Sequence, residues 1–224
     1  LRAEEAQLLG YPHFAALRLE TRMADDAEQV ITFLRDLAER ALPFAKKDIQ
    51  QLQHYAQTLG LNNLEPWDVA FVSEKLRQSQ YNYSEEEVKQ YFTEPQVLKG
   101  LFKVSKQLFG VSFKAIKVSV WHPDVKAFQV LNTANECIGY LYLDLYARAG
   151  KQGGAWVNSE RSRRALDTYT ELPITYLVCN FSSPQDDQAA LLTYDDVITL
   201  FHESGHALHN LLSTVDEPSV SAFA

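Results

Sequence analysis

Cysteine is scarce in this sequence of 224 residues, which contains only two, Cys137 and Cys179. Each lies inside an apolar, strand-like run and not at the spacing of a disulfide framework. A fold held together by disulfides is therefore excluded, and such cysteine usage suits a reducing compartment. We expect a cytoplasmic protein.

Long apolar runs are also absent. No uninterrupted apolar stretch approaches the ~20 residues that a membrane span needs. The first residues do not have the charged, apolar and small-residue pattern of a secretory signal peptide. The sequence therefore predicts no membrane-spanning segment and no membrane partner.

Clustered basic charge is the third feature that is missing. The 21 Lys and Arg residues are outnumbered by 29 Asp and Glu residues, giving a formal net charge of −8. The densest basic piece is the short stretch Arg161-Ser162-Arg163-Arg164. Because binding to nucleic acid requires a clustered basic surface that neutralises phosphates, we expect no nucleic-acid partner.

Apolar residues are plentiful, at 46% of the chain, and charged residues make up 22%. This composition is typical of a globular protein that buries a sizeable core. The sequence opens at Leu1 without an initiator Met and stops at Ala224, shortly after its most informative helix. We expect a middle fragment of a longer protein, truncated at both ends.

The first half of the chain has the periodicity of helices. Apolar residues recur at helical spacing over residues 24–60, and Pro43 in the middle predicts two consecutive helices. A further helix is expected to turn Phe71 inward, and another is predicted from Thr93 to Gly110. We therefore expect a helical region over residues 1–110.

After residue 110 the pattern changes to alternating β-branched and aromatic residues. Hairpin spacing predicts a small, mostly antiparallel sheet of about four strands, over Phe113 to Trp121, Val125 to Leu131, Cys137 to Tyr146 and Ile174 to Phe181. The glycine- and charge-rich stretch 148–164 is predicted to be a loop. The fold class is thus mainly α with a small mostly antiparallel β-sheet, and residues 111–224 contain the sheet and the last helix.

The last helix is predicted to begin at Thr193 and to end near Leu212, and it contains the segment His202-Glu203-Ser204-Gly205-His206. Four residues separate the two histidines, which places their imidazoles about 40° apart on one helical face. Both can then bind one metal ion. Glu203 lies about 100° from His202, within reach of a metal-bound water without being a ligand itself.

Two imidazoles and an oxygen ligand suit Zn²⁺, with the fourth position left to a water molecule. Glu203 is expected to act as the general base, with His202 and His206 as metal ligands, in the hydrolysis of a peptide bond. A chance match on a surface helix is the alternative. The apolar residues of this helix lie opposite the histidines, which favours a metal site.

The longer pattern H-E-x-x-H-x-x-G-x-x-H is excluded, because position 209 is His where it needs Gly and position 212 is Leu where it needs His. A third ligand, a carboxylate, is therefore expected from a later element. His209 lies near the ligand face but a turn further along, where a straight helix does not bring it to the same ion. We expect it to lie on the surface or behind the ligands.

The segment Phe201 to His209 resembles the active-site helix of the thimet oligopeptidase and oligopeptidase A family of zinc metallopeptidases. Other segments are similar to the family in the same order: Trp67-Asp68, Ser73 to Arg77, Tyr142 to Arg148, Gly153 to Trp156, and Leu177 to Phe181. The resemblance implies the zincin-like catalytic region of a helical, two-lobed oligopeptidase whose channel admits short peptides. It also implies that residues 1–110 and 111–224 are parts of one catalytic domain.

The resemblance further implies that the third zinc ligand is a Glu on a helix beyond Ala224, together with the residues that stabilise the tetrahedral intermediate. Ser204 departs from the family, which usually has Phe there, and at about 200° from His202 it is expected to face the core. Two functions remain open. One is a zinc-dependent oligopeptidase, and the other is a catalytically incompetent peptide-binding or scaffold fragment of the same fold.

Overall fold

The computed structural model describes residues 1–82, 84–184 and 188–221. The chain forms two compact units, Leu1–Asn82 and Tyr83–Ala224. Within the described ranges, no helix combines the length and the apolar character that crossing a membrane requires.

The first unit is helical and consists of α1 (Arg2–Leu8), α2 (Phe14–Leu19), α3 (Ala27–Thr58) and α4 (Val69–Tyr81). The two helices predicted on either side of Pro43 are wrong, because α3 runs through this residue for 32 residues. A proline removes the hydrogen bond that its own nitrogen would donate. Strong helix formers on both sides, including Ala41 and Ala45, continue the helix beyond that single loss.

The inward orientation predicted for Phe71 is also wrong, since this side chain is 53% exposed while its neighbour Val72 is fully buried. The contact between α3 and α4 is narrow. At this contact the Tyr55 hydroxyl of α3 donates to the backbone oxygen of Lys75 in α4 at 3.1 Å. A step of 100° around α4 is enough to take Phe71 away from the contact.

The second unit contains α5 (Glu85–Val88), α6 (Glu94–Phe109), α7 (Tyr194–Leu212) and a five-stranded sheet. The sheet contains β1 (Ser112–Ile116), β2 (Lys126–Leu131), β3 (Cys137–Tyr146), β4 (Trp156–Arg161) and β7 (Ile174–Phe181), in the order β1-β2-β3-β7-β4. The short strands β5 (Arg164–Ala165) and β6 (Thr170–Glu171) pair separately.

Three neighbouring pairs in the large sheet are antiparallel, and only β3 and β7 run parallel. This confirms the expectation of helices with a small, mostly antiparallel sheet. Strand β4 lies within the stretch 148–164, where we predicted a loop, so that prediction is wrong. The glycines occupy residues 150–154, and the alternating residues that follow them form the strand. The mean composition of the whole stretch does not show the alternation of these last residues.

The core of the second unit lies between the sheet and the helices α6 and α7. Its buried side chains include Leu98 and Leu101 of α6, Leu143 of β3, Leu177 of β7 and Leu200 of α7. Helix α6 therefore packs with the sheet, although our sequence boundary at residue 110 groups it with the helical region. The compact units divide instead between residues 82 and 83.

Gly139 allows α7 to lie close to the sheet. A Cβ atom at this position would stand 2.7 Å from Leu211 Cδ2 and 3.1 Å from the backbone oxygen of Pro173. We expect Gly139→Ala to lower the free energy of unfolding by about 1–3 kcal/mol through overpacking. Chemical denaturation measures this change.

Gly100 provides the matched control, because it lies inside α6 and an added Cβ would meet no atom within 4 Å. Gly100→Ala should raise the free energy of unfolding by about 0.5–1 kcal/mol, because alanine is more favourable than glycine inside a helix by about this amount. Equal effects of the two substitutions would contradict a close packing of α7 at Gly139.

Candidate metal site and catalytic residues

Helix α7 carries the candidate site, and its start is fixed by a reciprocal cap. The Thr193 hydroxyl accepts a hydrogen bond from the backbone N–H of Asp196 at 3.0 Å, and the Asp196 carboxylate accepts one from the backbone N–H of Thr193 at 2.9 Å. Such a capping arrangement satisfies two of the free donors at a helix N-terminus. The observed helix, Tyr194–Leu212, confirms the predicted bounds.

The rotation of α7 about its axis is fixed by a polar contact with the sheet. The side-chain amide of Asn210 donates to Thr175 Oγ1 of β7 at 2.7 Å and to Ser159 Oγ of β4 at 3.2 Å. Asn210 and Thr175 are both fully buried. This contact holds the C-terminal part of α7 on the sheet, while His202 and His206 are exposed.

The two histidines converge as the sequence predicts. Their Nε2 atoms lie 3.2 Å apart, and the two rings are inclined at 81°. Two nitrogens at this separation subtend about 100° at an ion located at the usual Zn–N distance of about 2.05 Å. That value is close to the tetrahedral angle, so the pair fits the donor arrangement of a zinc site.

Glu203 lies where the buried side of α7 meets the exposed histidine side, and it is 8% exposed. The thiol of Cys179 on β7 is fully buried. Burial and the nearby Glu203 carboxylate raise the pKa of the Cys179 thiol to about 12. The carboxylate is thus largely withdrawn from water beside the histidine pair, an environment suited to a group that exchanges protons with substrate.

Among residues 1–82, 84–184 and 188–221, no third His, Cys, Asp or Glu joins the two histidines in a group able to hold a metal ion. His209 is exposed on the same helix. Ser204 is 6% exposed, which confirms that it faces the core, and its hydroxyl donates to the backbone oxygen of Leu200 at 2.6 Å.

Sequence reasoning missed a buried charge cluster in the second unit. Asp144 of β3 is 4% exposed, and its carboxylate accepts hydrogen bonds from Trp121, Arg148 and Lys151. Burial alone would raise the pKa of Asp144, but these donors outweigh it and hold the pKa well below its usual range. The available signal was a single carboxylate inside the apolar run of β3, since buried charges are almost always paired.

The chain is similar to known peptidases over nearly its whole length. Residues 1–223 match the model of Peptidase family M3. The chain is 44% identical over its full length to Oligopeptidase A of Escherichia coli and covers 33% of that protein. It is 42% identical to Oligopeptidase A of Haemophilus influenzae, with 99% of the chain and 33% of that protein covered.

A relative with a different name is Dipeptidyl carboxypeptidase of Escherichia coli, which is 36% identical over 95% of this chain and 31% of its own length. The chain thus spans about a third of the length of the curated relatives it matches. The family match extends over nearly every residue, so membership in this family does not rest on the histidine motif alone. The chain belongs to peptidase family M3.

Proposed function

We propose that this chain forms part of a zinc-dependent metalloendopeptidase that hydrolyses short peptides, with His202 and His206 as zinc ligands and Glu203 as general base. The observation that supports it most is the 3.2 Å approach of the two Nε2 atoms on the exposed side of α7. The family match and the names of the relatives support a peptide hydrolase.

A zinc ion bound here would polarise the substrate carbonyl and lower the pKa of a water molecule. The protein's own contributions follow from the geometry. His202 and His206 present two neutral nitrogen donors from successive turns of one helix, whose rotation Asn210 holds. Glu203 accepts the proton of the attacking water and then delivers it to the leaving amine, and its low exposure keeps bulk water from competing.

Zinc with catalytic function has three protein ligands, and the described residues contain no group of three candidate ligands. We propose that the third is a carboxylate from sequence beyond Ala224 in the longer protein. The substrates would be short peptides, with neither nucleic acid nor membrane as a partner. Both cysteines are free, which favours a reducing compartment such as the cytoplasm.

The experiment uses the full-length protein and a fluorogenic oligopeptide. We expect hydrolysis that stops when a strong chelator removes the metal and returns when zinc is restored. Hydrolysis that survives complete metal removal would contradict the proposal. Cleavage of an unstructured peptide should also be unaffected by added nucleic acid.

The second candidate function is a catalytically incompetent fragment that binds peptides, favoured by the absence of any group of three metal-ligating side chains among the described residues. The same assay distinguishes the two functions.

The 224-residue polypeptide alone should bind zinc weakly and hydrolyse the peptide at least about a hundredfold more slowly than the full-length protein, because losing even one donor to the oxyanion lowers the rate by about 10²–10³-fold. Comparable rates would show that the site is complete without further sequence.

A further inference from the structure

Lys151 has a buried ammonium group at the end of the parallel pair β3 and β7. Its side chain is 5% exposed. The ammonium donates to Asp144 Oδ1 at 2.9 Å and to the backbone oxygens of Asp144 at 2.9 Å, Tyr146 at 2.8 Å and Cys179 at 2.6 Å. A lysine is rarely buried unless it is paired, and here the ammonium is surrounded by oxygen atoms.

These carbonyl groups border an irregularity in the sheet. Asp144 pairs with Val178 and Tyr146 with Phe181, so that β7 has one residue more than β3 in this interval. A β-bulge of this kind leaves backbone groups without their ladder partners and is frequent beside active sites. Lys151 takes the place of the missing donors and joins the two strands across the bulge.

The bulge contains Cys179, which lies on the same face of β7 as Thr175 because side chains alternate along a strand. Asn210 of α7 contacts Thr175 of β7, which aligns the two elements at one end. Seven residues back along α7 is Glu203, about 10 Å away, and four residues onward along β7 is Cys179, about 13 Å away. Since α7 follows β7 in the chain and its Asn210 returns to the first residues of β7, the helix runs antiparallel to the strand, and both steps lead toward the Cys179 end of β7. The effect of the Glu203 carboxylate on the pKa of the Cys179 thiol is consistent with this placement.

Asp144 provides the opposing charge that makes the buried ammonium tolerable. Its two carboxylate oxygens also accept bonds from Arg148, at 2.6 and 2.8 Å, and one accepts the Trp121 indole N–H at 2.9 Å. Since each charged group is satisfied on several sides, the cluster is rigid, and removing one partner would leave the other uncompensated.

Building on the proposed function, we propose that Lys151 is a positioning residue for catalysis: its ammonium holds the β3–β7 bulge in place and thereby fixes the part of β7 on which the Glu203 side chain rests. Lys151 touches neither substrate nor metal in this role. Its loss moves the Glu203 carboxylate relative to the two histidines and leaves the histidine pair intact, because Asn210 still holds α7.

The test compares Lys151→Met with Lys126→Met in the full-length protein. Lys126 is the matched control because it also pairs with a buried carboxylate of the same unit, that of Glu94, but extends from β2, which β3 separates from β7. Lys151→Met should lower kcat by about 10–100-fold, since displacements near 1 Å have effects of this size. KM and zinc content should stay within about twofold of wild type. Lys126→Met should leave kcat within about twofold.

A second readout does not depend on catalysis. The rate at which a thiol reagent modifies Cys179, followed on its peptide by mass spectrometry, should rise at least about tenfold in Lys151→Met and stay unchanged in Lys126→Met. If the wild-type protein hydrolyses no peptide, the proposed function fails, and this rate alone still decides whether Lys151 holds the bulge.

Several outcomes would overturn the inference. They are an unchanged kcat in folded Lys151→Met, an equal loss in Lys126→Met, a loss of zinc in Lys151→Met, and unchanged protection of Cys179. If Lys151→Met does not fold, the double variant Asp144→Asn with Lys151→Met removes both buried charges, which lessens the folding cost. It still lacks the donor to the Cys179 carbonyl, so the same losses are expected.

Discussion

Replacing Glu203 with glutamine in the full-length protein is expected to lower kcat for a short peptide by about 10²–10⁴-fold, the usual contribution of general acid–base catalysis. Glutamine has nearly the same shape, but its amide cannot accept the proton of the attacking water. Zinc content should remain near that of wild type, because the proposed role of Glu203 is proton transfer and not metal ligation. Steady-state kinetics with metal analysis measures both quantities.

Asp195→Asn is the matched control, since Asp195 is an exposed carboxylate in the first turn of the same helix. It should change kcat by less than about twofold, because it lies two turns before His202, about 10 Å away along the helix axis. KM should change little in Glu203→Gln, as expected for a group that acts in the transition state. A loss of zinc equal to that in His202→Ala would instead make Glu203 a ligand.

The candidate site was predictable from the sequence because its information is local. His202, Glu203 and His206 lie within five residues, and the helical period alone determines their relative directions. The same period correctly placed Ser204 in the core. The capping residue Thr193 and the apolar side of α7 were equally readable, since both depend on neighbours within a few residues.

The errors in the fold arose where one residue or an average composition was given too much weight. Pro43 was read as a helix boundary, yet α3 continues through it. Strand β4 was hidden by glycines that lie only before it. Its six residues gain their stability from pairing with β7, a contact that propensity does not report.

The buried charge cluster, which sequence reasoning did not find, depends on the tertiary structure. Lys151 donates to the backbone oxygen of Cys179, 28 residues away, where the register between β3 and β7 shifts. A register shift in a sheet is not visible in the alternation of side chains. Asp144 was readable as an unusual carboxylate in an apolar strand, but its partners were not.

The second large effect is expected from the metal ligands themselves. In the full-length protein, His202→Ala or His206→Ala removes one of the two nitrogens that lie 3.2 Å apart. The remaining donors hold zinc poorly, because catalytic zinc depends on three protein ligands. Removing a residue that only hydrogen-bonds to a metal ligand lowers metal affinity by about 10–100-fold. We expect the loss of a ligand itself to lower zinc affinity by more than this. Peptide hydrolysis should fall in proportion to bound zinc.

His209→Ala is the control for these variants. His209 is exposed on the same helix and lies one turn beyond His206. Removing it takes away an imidazole of the same type without touching the converging pair. Zinc affinity and kcat should both stay within about threefold of wild type, apart from a small effect on helix stability.

The most direct test is the zinc content of the full-length protein and of these three variants after dialysis against the same weak chelator. Wild type and His209→Ala should each retain about one zinc ion per chain, as a single catalytic site requires, while His202→Ala and His206→Ala retain almost none. Full zinc retention in His202→Ala, or loss of zinc in His209→Ala to the same extent, would contradict a site built on the His202 and His206 pair.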